Sequence, residues 1–186
     1  MRKIHLVDLQ GVIHLNKSYR EVLGWLFLAS LLLLIIVWGG RLWGNVTWPT
    51  EPKADVHLYI AAPSGGLEVI DARIKKSEFN APGLWTELQR VSQSSSESLL
   101  PAGAELLEAR QEDTVLVASF SWELAGGQYL GSNEEIALVY SIVNTLAQLP
   151  GIESVRILIE GNTVESLADH VDLTAPLPPD PTIVVD

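Results

Sequence analysis

The densest apolar run of the chain lies near its start, where Val22 to Gly40 reads VLGWLFLASLLLLIIVWGG without one charged residue. Leu31 to Val37 offers no polar face, so an amphipathic helix resting on a soluble core does not explain it. Nineteen residues at the helical rise cover about 28 Å, close to the hydrocarbon thickness of a bilayer. The pattern predicts a transmembrane helix over residues 22–43. Trp25, Trp38, Trp43 and Trp48 lie in or just beyond the run, where an indole can keep its ring apolar and its N–H wet. Lys17 and Arg20 precede it and Arg41 alone closely follows, so the positive-inside bias puts the N-terminus in the cytoplasm and the remainder outside. A cleaved signal peptide fits less well: the run is long, and no Ala-x-Ala-like site follows it. The span holds no ionisable side chain and suggests no ion pathway. Residues 1–21 carry scattered apolar positions with His5 and His14 among them. They read as a cytoplasmic tail, with a short interfacial segment as the alternative.

After the run the periodicity changes. Residues 44–54 (GNVTWPTEPKA) have two prolines and no period, and read as a linker. Asn45-Val46-Thr47 within it matches a glycosylation sequon, which has meaning only in a eukaryotic secretory pathway. Asp55 to Ala62 alternates apolar and polar positions, as a half-buried strand does. Pro63-Ser64-Gly65-Gly66 turns the chain into a second strand, Leu67 to Ile74. Phe79 to Val91 has Leu84, Trp85, Leu88 and Val91 at helical spacing, although Pro82-Gly83 weakens its start. A serine-rich loop and Leu100-Pro101-Ala102-Gly103 lead to a strand over Ala104 to Arg110, and Gln111-Glu112-Asp113 connects it tightly to Thr114 to Trp122. That last strand is rich in β-branched and aromatic residues. Ser132 and Glu135 match a capping box, ahead of a stripe of Ile136, Val139, Tyr140, Val143 and Leu146. Pro150-Gly151 ends this helix. Val155 to Ile159 and Thr163 to Leu167 complete about six short strands. The expected class is α+β: one sheet with both helices packed on one face, behind a single N-terminal transmembrane helix. The domain spans residues 55–173, and a Pro-rich tail, 174–186, lies extended along its surface.

Charge separates the same two regions. Residues 1–43 carry five basic and two acidic side chains, whereas residues 44–186 carry 7 basic and 21 acidic ones. So negative a surface repels phosphate backbones, and no nucleic-acid partner is expected. The chain has no cysteine, which removes disulfides, thiolate metal sites, a cysteine nucleophile and a lipoprotein acyl anchor.

Candidate chemistry is sparse. Gly126 to Gly131 precedes a helix N-terminus that could hold an anion, but no P-loop lysine follows, and Glu134 and Glu135 already occupy the positive end. Asp169, His170 and Asp172 could supply two or three metal ligands, yet no second cluster joins them; His170 is read as bonding to the backbone and locking the tail. Ser119 and Ser121 sit in a strand and not in a nucleophile elbow. The pairs Glu134–Glu135 and Glu112–Asp113 are adjacent and do not face one another, so no paired-carboxylate site has local support. No catalytic, cofactor-binding or metal-binding residue is expected, and no cofactor.

From Thr114 onward the sequence resembles the GerMN domain family of bacterial sporulation and spore-germination proteins. The resemblance rests on VLVASFSWEL (115–124), the loop Gly126-Gly127-Gln128-Tyr129-Leu130-Gly131, the helix from Ser132 to Leu146, Pro150-Gly151-Ile152, VRILIEG (155–161), and His170-Val171-Asp172-Leu173 with Pro176-Leu177. HLYIA at 57–61 and LPAGAELLEA at 100–109 fit the same order. It implies an extracytoplasmic domain, a compact α/β fold akin to the ring-building motifs of envelope machines, and a role in protein–protein assembly. It supplies no catalytic residues. The chain departs from familiar sporulation members in lacking a lipoprotein cysteine and in showing one domain copy rather than two. The expected function is therefore a single-pass, non-enzymatic protein of the cytoplasmic membrane. Its partners would be the bilayer, through residues 22–43, and an envelope protein or a second copy of itself. The alternative is a peptidoglycan- or carbohydrate-binding module using Trp85, Trp122 and Tyr129, although Trp85 and Trp122 read more simply as core; an envelope hydrolase is less favoured.

Overall fold

The computed structural model describes residues 17–43, 51–96, 98–126 and 130–185. The chain forms two compact units, Met1–Thr50 and Glu51–Asp186. In the first, α1 runs from Lys17 to Trp43, 27 residues. It starts five positions before the apolar run because Ser18 to Glu21 include no helix breaker. Every described side chain from Glu21 to Trp38 is exposed. This helix is long and apolar enough to cross a membrane.

The second unit begins with an antiparallel hairpin, β1 (Lys53–Ala61) and β2 (Leu67–Lys75). Gly65 and Gly66 take positive φ in its turn, where a side chain would be strained. Helix α2 (Ala81–Ser94) follows. Its N-cap is Asn80, whose side chain accepts a hydrogen bond from the Gly83 amide at 2.9 Å. Pro82 therefore falls in the first turn, where a missing N–H costs nothing. Gly83 has a reason of its own: a Cβ there would collide with the Glu78 carbonyl.

A mixed sheet follows, in the order β3-β4-β5, with β3 (Leu106–Glu112) antiparallel to β4 (Val115–Phe120) and β4 parallel to β5 (Ser154–Ile159). A parallel pair needs a crossover, and α3 (Ser132–Leu146) provides it. The α+β class and the N-terminal apolar helix are both present, but the strands among the described residues number five and divide between two sheets. Thr163 to Leu167 is not a strand. β5 gives its outer edge to the tail, where Val155 and Leu177 exchange two backbone hydrogen bonds of 2.9 and 2.8 Å, and the Leu167 amide turns to a side chain of α3.

Helices α2 and α3 pack on each other and on β1, while α2 also reaches β3 and α3 reaches β5. One core results, filled by Leu58 of β1, Leu84 and Leu88 of α2, Phe120 of β4, Ile142 of α3 and Ile157 of β5. Trp85 joins it, its ring centroid 4.8 Å from that of Phe120. Trp122 does not. It stands in a 3-10 turn after β4 and is 62% exposed, so its reading as core is corrected. β4 ends at Phe120, two residues earlier than its pattern suggests, and the alternation that would have buried position 122 ends with it.

Candidate functional site

Helix α3 is buried over most of its circumference, beyond the stripe its spacing indicates. Val139, Val143 and Leu146 are enclosed, and so are Leu138, Ile142 and four polar residues: Glu135, Ser141, Asn144 and Thr145. The polar side chains bind neighbouring backbone. Asn144 donates to the Asp180 carbonyl and accepts from the Asp180 amide, both at 2.9 Å. The Thr145 hydroxyl accepts from the Tyr59 amide at 3.2 Å. Just past the helix, Gln148 accepts from the His57 amide at 3.0 Å and donates to the His57 carbonyl at 2.8 Å. Together they close the outer edge of β1 as another strand would.

Glu135 is the extreme case. Its side chain has no solvent exposure. It accepts from the amides of Leu167 and Ala168, both at 2.9 Å, from the His170 amide at 2.7 Å, and from His170 Nδ1 at 3.0 Å. An ionised carboxylate only accepts, so Nδ1 carries the hydrogen. Burial pushes the Glu135 carboxyl up, but the amides of Ala168, His170 and Leu167 and the His170 ring outweigh it and hold the group below the usual carboxylate value. The capping box is accordingly not formed. Gly131 is the N-cap with no side-chain bond, and Ser132 is already helical. Facing the loop 167–170, Glu135 satisfies three otherwise orphaned amides, where in a box its own carboxylate would satisfy one. Where its position suggests a bond to backbone that locks the Pro-rich tail, His170 instead gives both its amide and its ring to the Glu135 carboxylate and braces the loop 167–170.

The other candidate residues do not converge. Ser119 Oγ accepts from the Gly161 amide at 2.8 Å and Ser121 Oγ from the Glu105 amide at 3.0 Å, so both buried hydroxyls brace turns. Asp172 accepts from the hydroxyl and amide of Thr174, which hold its carboxyl below its ordinary value. Asp169 lies in the left-handed region at φ 67°, its amide bonded to Ser166 Oγ. No metal-holding group of three His, Asp or Glu side chains occurs among the described residues. Of the glycine loop, Gly127, Gln128 and Tyr129 fall outside the described residues, as does the sequon; Gly126 lies against the Trp122 indole, so that a Cβ would collide with it. Glu112 pairs with Arg110 at 2.8 Å, and Asp113 turns the β3–β4 connection at φ 53°.

The solvent face of the hairpin gathers charge. Arg73 Nε bonds Asp55 at 2.7 Å, and on the next cross-strand pair His57 Nδ1 bonds Asp71 at 2.7 Å. These side chains, with Val56 and Ala72, border an open depression of about 420 Å³. Alternation along β1 and β2 could have revealed this ladder, but nothing in one strand fixes the register that makes the pairs.

A family model for sporulation and spore germination, Germane, matches residues 58–165, from the middle of β1 to the loop beyond β5. The chain belongs to the Germane family. Its match holds the second half of β1, strands β2 to β5, α2 and α3, and leaves out α1 and the tail. Among solved structures, the chain is similar to the first GerMN domain of the sporulation protein GerM from Bacillus subtilis, with 21% identity over 67% of this chain and 97% of that one, at a TM-score of 0.54. The tandem GerMN domains of the same protein match with 18% identity over 68% of this chain, at 0.53; this chain spans about half (46%) of their length. A putative lipoprotein from Clostridium perfringens matches with 21% identity over 69% of this chain and 87% of that one, at 0.49. At such identities the GerM matches show the fold: the second unit is a GerMN-type domain. The curated proteins contain no match.

Proposed function

We propose that this Germane-family protein is a non-enzymatic component of the cell envelope, anchored by α1 in the cytoplasmic membrane with its acidic domain outside, where it docks a protein partner in sporulation, germination or a related assembly. The observation that carries the reading is α1 itself: an apolar helix with every described side chain from Glu21 to Trp38 exposed, preceding a family domain whose own core is complete. An uncovered surface of that kind needs hydrocarbon. The polar groups weighed for chemistry support a binding role, since Glu135, Ser119 and Ser121 spend their hydrogen bonds on backbone. The acid excess disfavours nucleic acid, and no small-molecule cofactor is invoked.

Alkaline carbonate washing of membranes, with protease added to the outer side, tests this. The intact chain should remain in the pellet and its domain should be cleaved only from outside. Release into the supernatant, or a C-terminal domain protected on that side, overturns it. One observation favours a second reading: the exposed Trp122 could stack on a sugar ring of the cell wall. Trp85, being core, cannot. Salt-resistant pelleting with purified sacculi that is lost in Trp122→Ala would support the second reading over the first.

A further inference from the structure

Four strand edges bound the two sheets, and the described residues treat them differently. The edge of β1 is closed by Gln148 and Thr145, and that of β5 is met at Val155 by Leu177 and at Ile159 by Asn162. β3 has a register shift between Leu106 and Glu108 and an exposed run of Glu108, Arg110 and Glu112, two devices that discourage pairing. β2 is regular over nine residues. The bonds Ala62 N–H to Gly66 O and Lys76 N–H to Pro52 O fix the even-numbered residues of β2 as those bonded to β1. The odd-numbered ones turn their N–H and C=O outward. At one end the tail uses this edge: Val184 lies parallel beside Leu67, and the Val185 amide bonds the Leu67 carbonyl at 2.7 Å. Beyond it, the outward main-chain groups of Val69, Asp71 and Arg73 meet no partner among the described residues.

We propose that this edge pairs with the β2 edge of a second copy of the chain, antiparallel about a two-fold axis at Ala72, to make a continuous four-stranded sheet. The order of charges points to that occupant and that register. Outward groups meet outward groups only when odd residues oppose odd residues. Centring on Asp71 would set two aspartates face to face, and centring on Arg73 two arginines. Centring on Ala72 sets Asp71 opposite the partner's Arg73 and Arg73 opposite the partner's Asp71, two opposite-charge pairs in hydrogen-bonded positions. The Asp55–Arg73 and His57–Asp71 contacts of each copy then extend into one ladder across both. On the inner face Ile70 meets Ile74 of the second copy, and Ala72 meets Ala72. Such an interface is isologous and closes at two, so the exposed edge is consumed and not propagated. It deepens the proposed function by naming the docking partner, and rests on that reading only in that anchoring gathers copies in one membrane plane, which raises their effective concentration.

The cysteine-free sequence makes the test direct. In the full chain, in lipid nanodiscs or native membranes, Ala72→Cys places two thiols at a non-hydrogen-bonded pair with Cα atoms about 4.5 Å apart, within disulfide range. Val69→Cys places them about six residues apart along the strands, some ~20 Å, out of range. Mild oxidation should give at least tenfold more disulfide dimer for Ala72→Cys. Equal yields, or none, overturn the proposal. Asp71→Arg and Arg73→Asp alter exposed side chains and should leave the circular-dichroism spectrum of the folded chain unchanged. Each alone should abolish the dimer, because the first carries arginine at both positions and the second aspartate at both, so like charges oppose. An equal mixture should restore it as a heterodimer, in which the two arginines of one chain face the two aspartates of the other. A dimer that survives in either variant, or a mixture that stays monomeric, overturns the register. A chain that washes off membranes yet cross-links through Ala72→Cys refutes the proposed anchoring and leaves this pairing standing; a membrane-retained chain that does not cross-link does the reverse.

Discussion

Helices α1 and α3 are both rich in aliphatic residues, and the molecule uses them in opposite ways. From Glu21 to Trp38 the side chains of α1 are all exposed. In α3, Leu138, Ile142 and Leu146 have no exposure at all, and polar residues are enclosed with them. The difference lies in the backbone around each helix. A helix in hydrocarbon satisfies its own main chain and needs nothing more. A helix in a protein core lies beside strand edges and loops with unpaired N–H and C=O groups, and α3 supplies their partners from Glu135, Asn144, Thr145 and Gln148. Polar residues in a buried helix are thus evidence of what it touches.

One charge placed in each helix should separate the two roles. Val143→Asp puts an unpaired carboxylate where the side chain has no exposure, at a cost of roughly 4 kcal/mol or more. The domain should lose its cooperative thermal transition while the chain stays in carbonate-washed membranes. Leu32→Asp should do the opposite, raising the insertion free energy by about 3 kcal/mol and releasing part of the chain, with the domain's melting temperature unchanged. A Leu32→Asp chain retained as fully as the parent would remove the ground for treating α1 as the lipid-facing helix.

Glu135→Gln should cost about 3 kcal/mol, since an amide group cannot accept from all four donors. It should also change the pH profile. The folded Glu135 carboxyl lies below its usual value of 4.5, so its stabilisation is full above that value and is lost as pH falls through the lowered one. Denaturant midpoints of the parent should therefore fall more steeply below pH 4.5 than those of the variant; parallel curves would mean that Glu135 is not charged in the folded protein. Asn144→Ala, which frees both Asp180 backbone groups, should cost about 1–2 kcal/mol and raise hydrogen exchange at the Asp180 amide. Arg110→Ala, on an exposed pair, should change the midpoint by no more than about 0.5 kcal/mol.

Much of the fold is legible in the chain because local signals agree. Val155 to Ile159 and Val115 to Phe120 are short β-branched runs, and both are strands. The end of α3 is marked by Pro150-Gly151, and its start falls at Ser132, where the sequence places it, although not through the capping box. The failures share a cause. Ser132-x-x-Glu135 has the spacing of a capping box, but the spacing cannot show that a loop more than thirty residues later brings three amides to the same carboxylate. Trp122 follows an alternation that the chain abandons after Phe120. Thr163 to Leu167 has strand-forming residues, but Leu177 from farther along takes the edge of β5.

The sequence by itself determined what depends on neighbours along the chain: an apolar N-terminal helix long enough to cross a membrane, the helices and most strands of an acidic domain, and the order of blocks that marks the Germane family. Tertiary structure alone decided which backbone groups meet which side chains, because those partners lie far apart along the chain, 33 residues for Glu135 and Ala168 and 91 for His57 and Gln148. It also decided that the strands divide between two sheets, and that one edge, along β2, keeps outward amides in a self-complementary order of charge. An unpaired N–H exerts its demand through space, and only the folded chain shows what stands within reach of it.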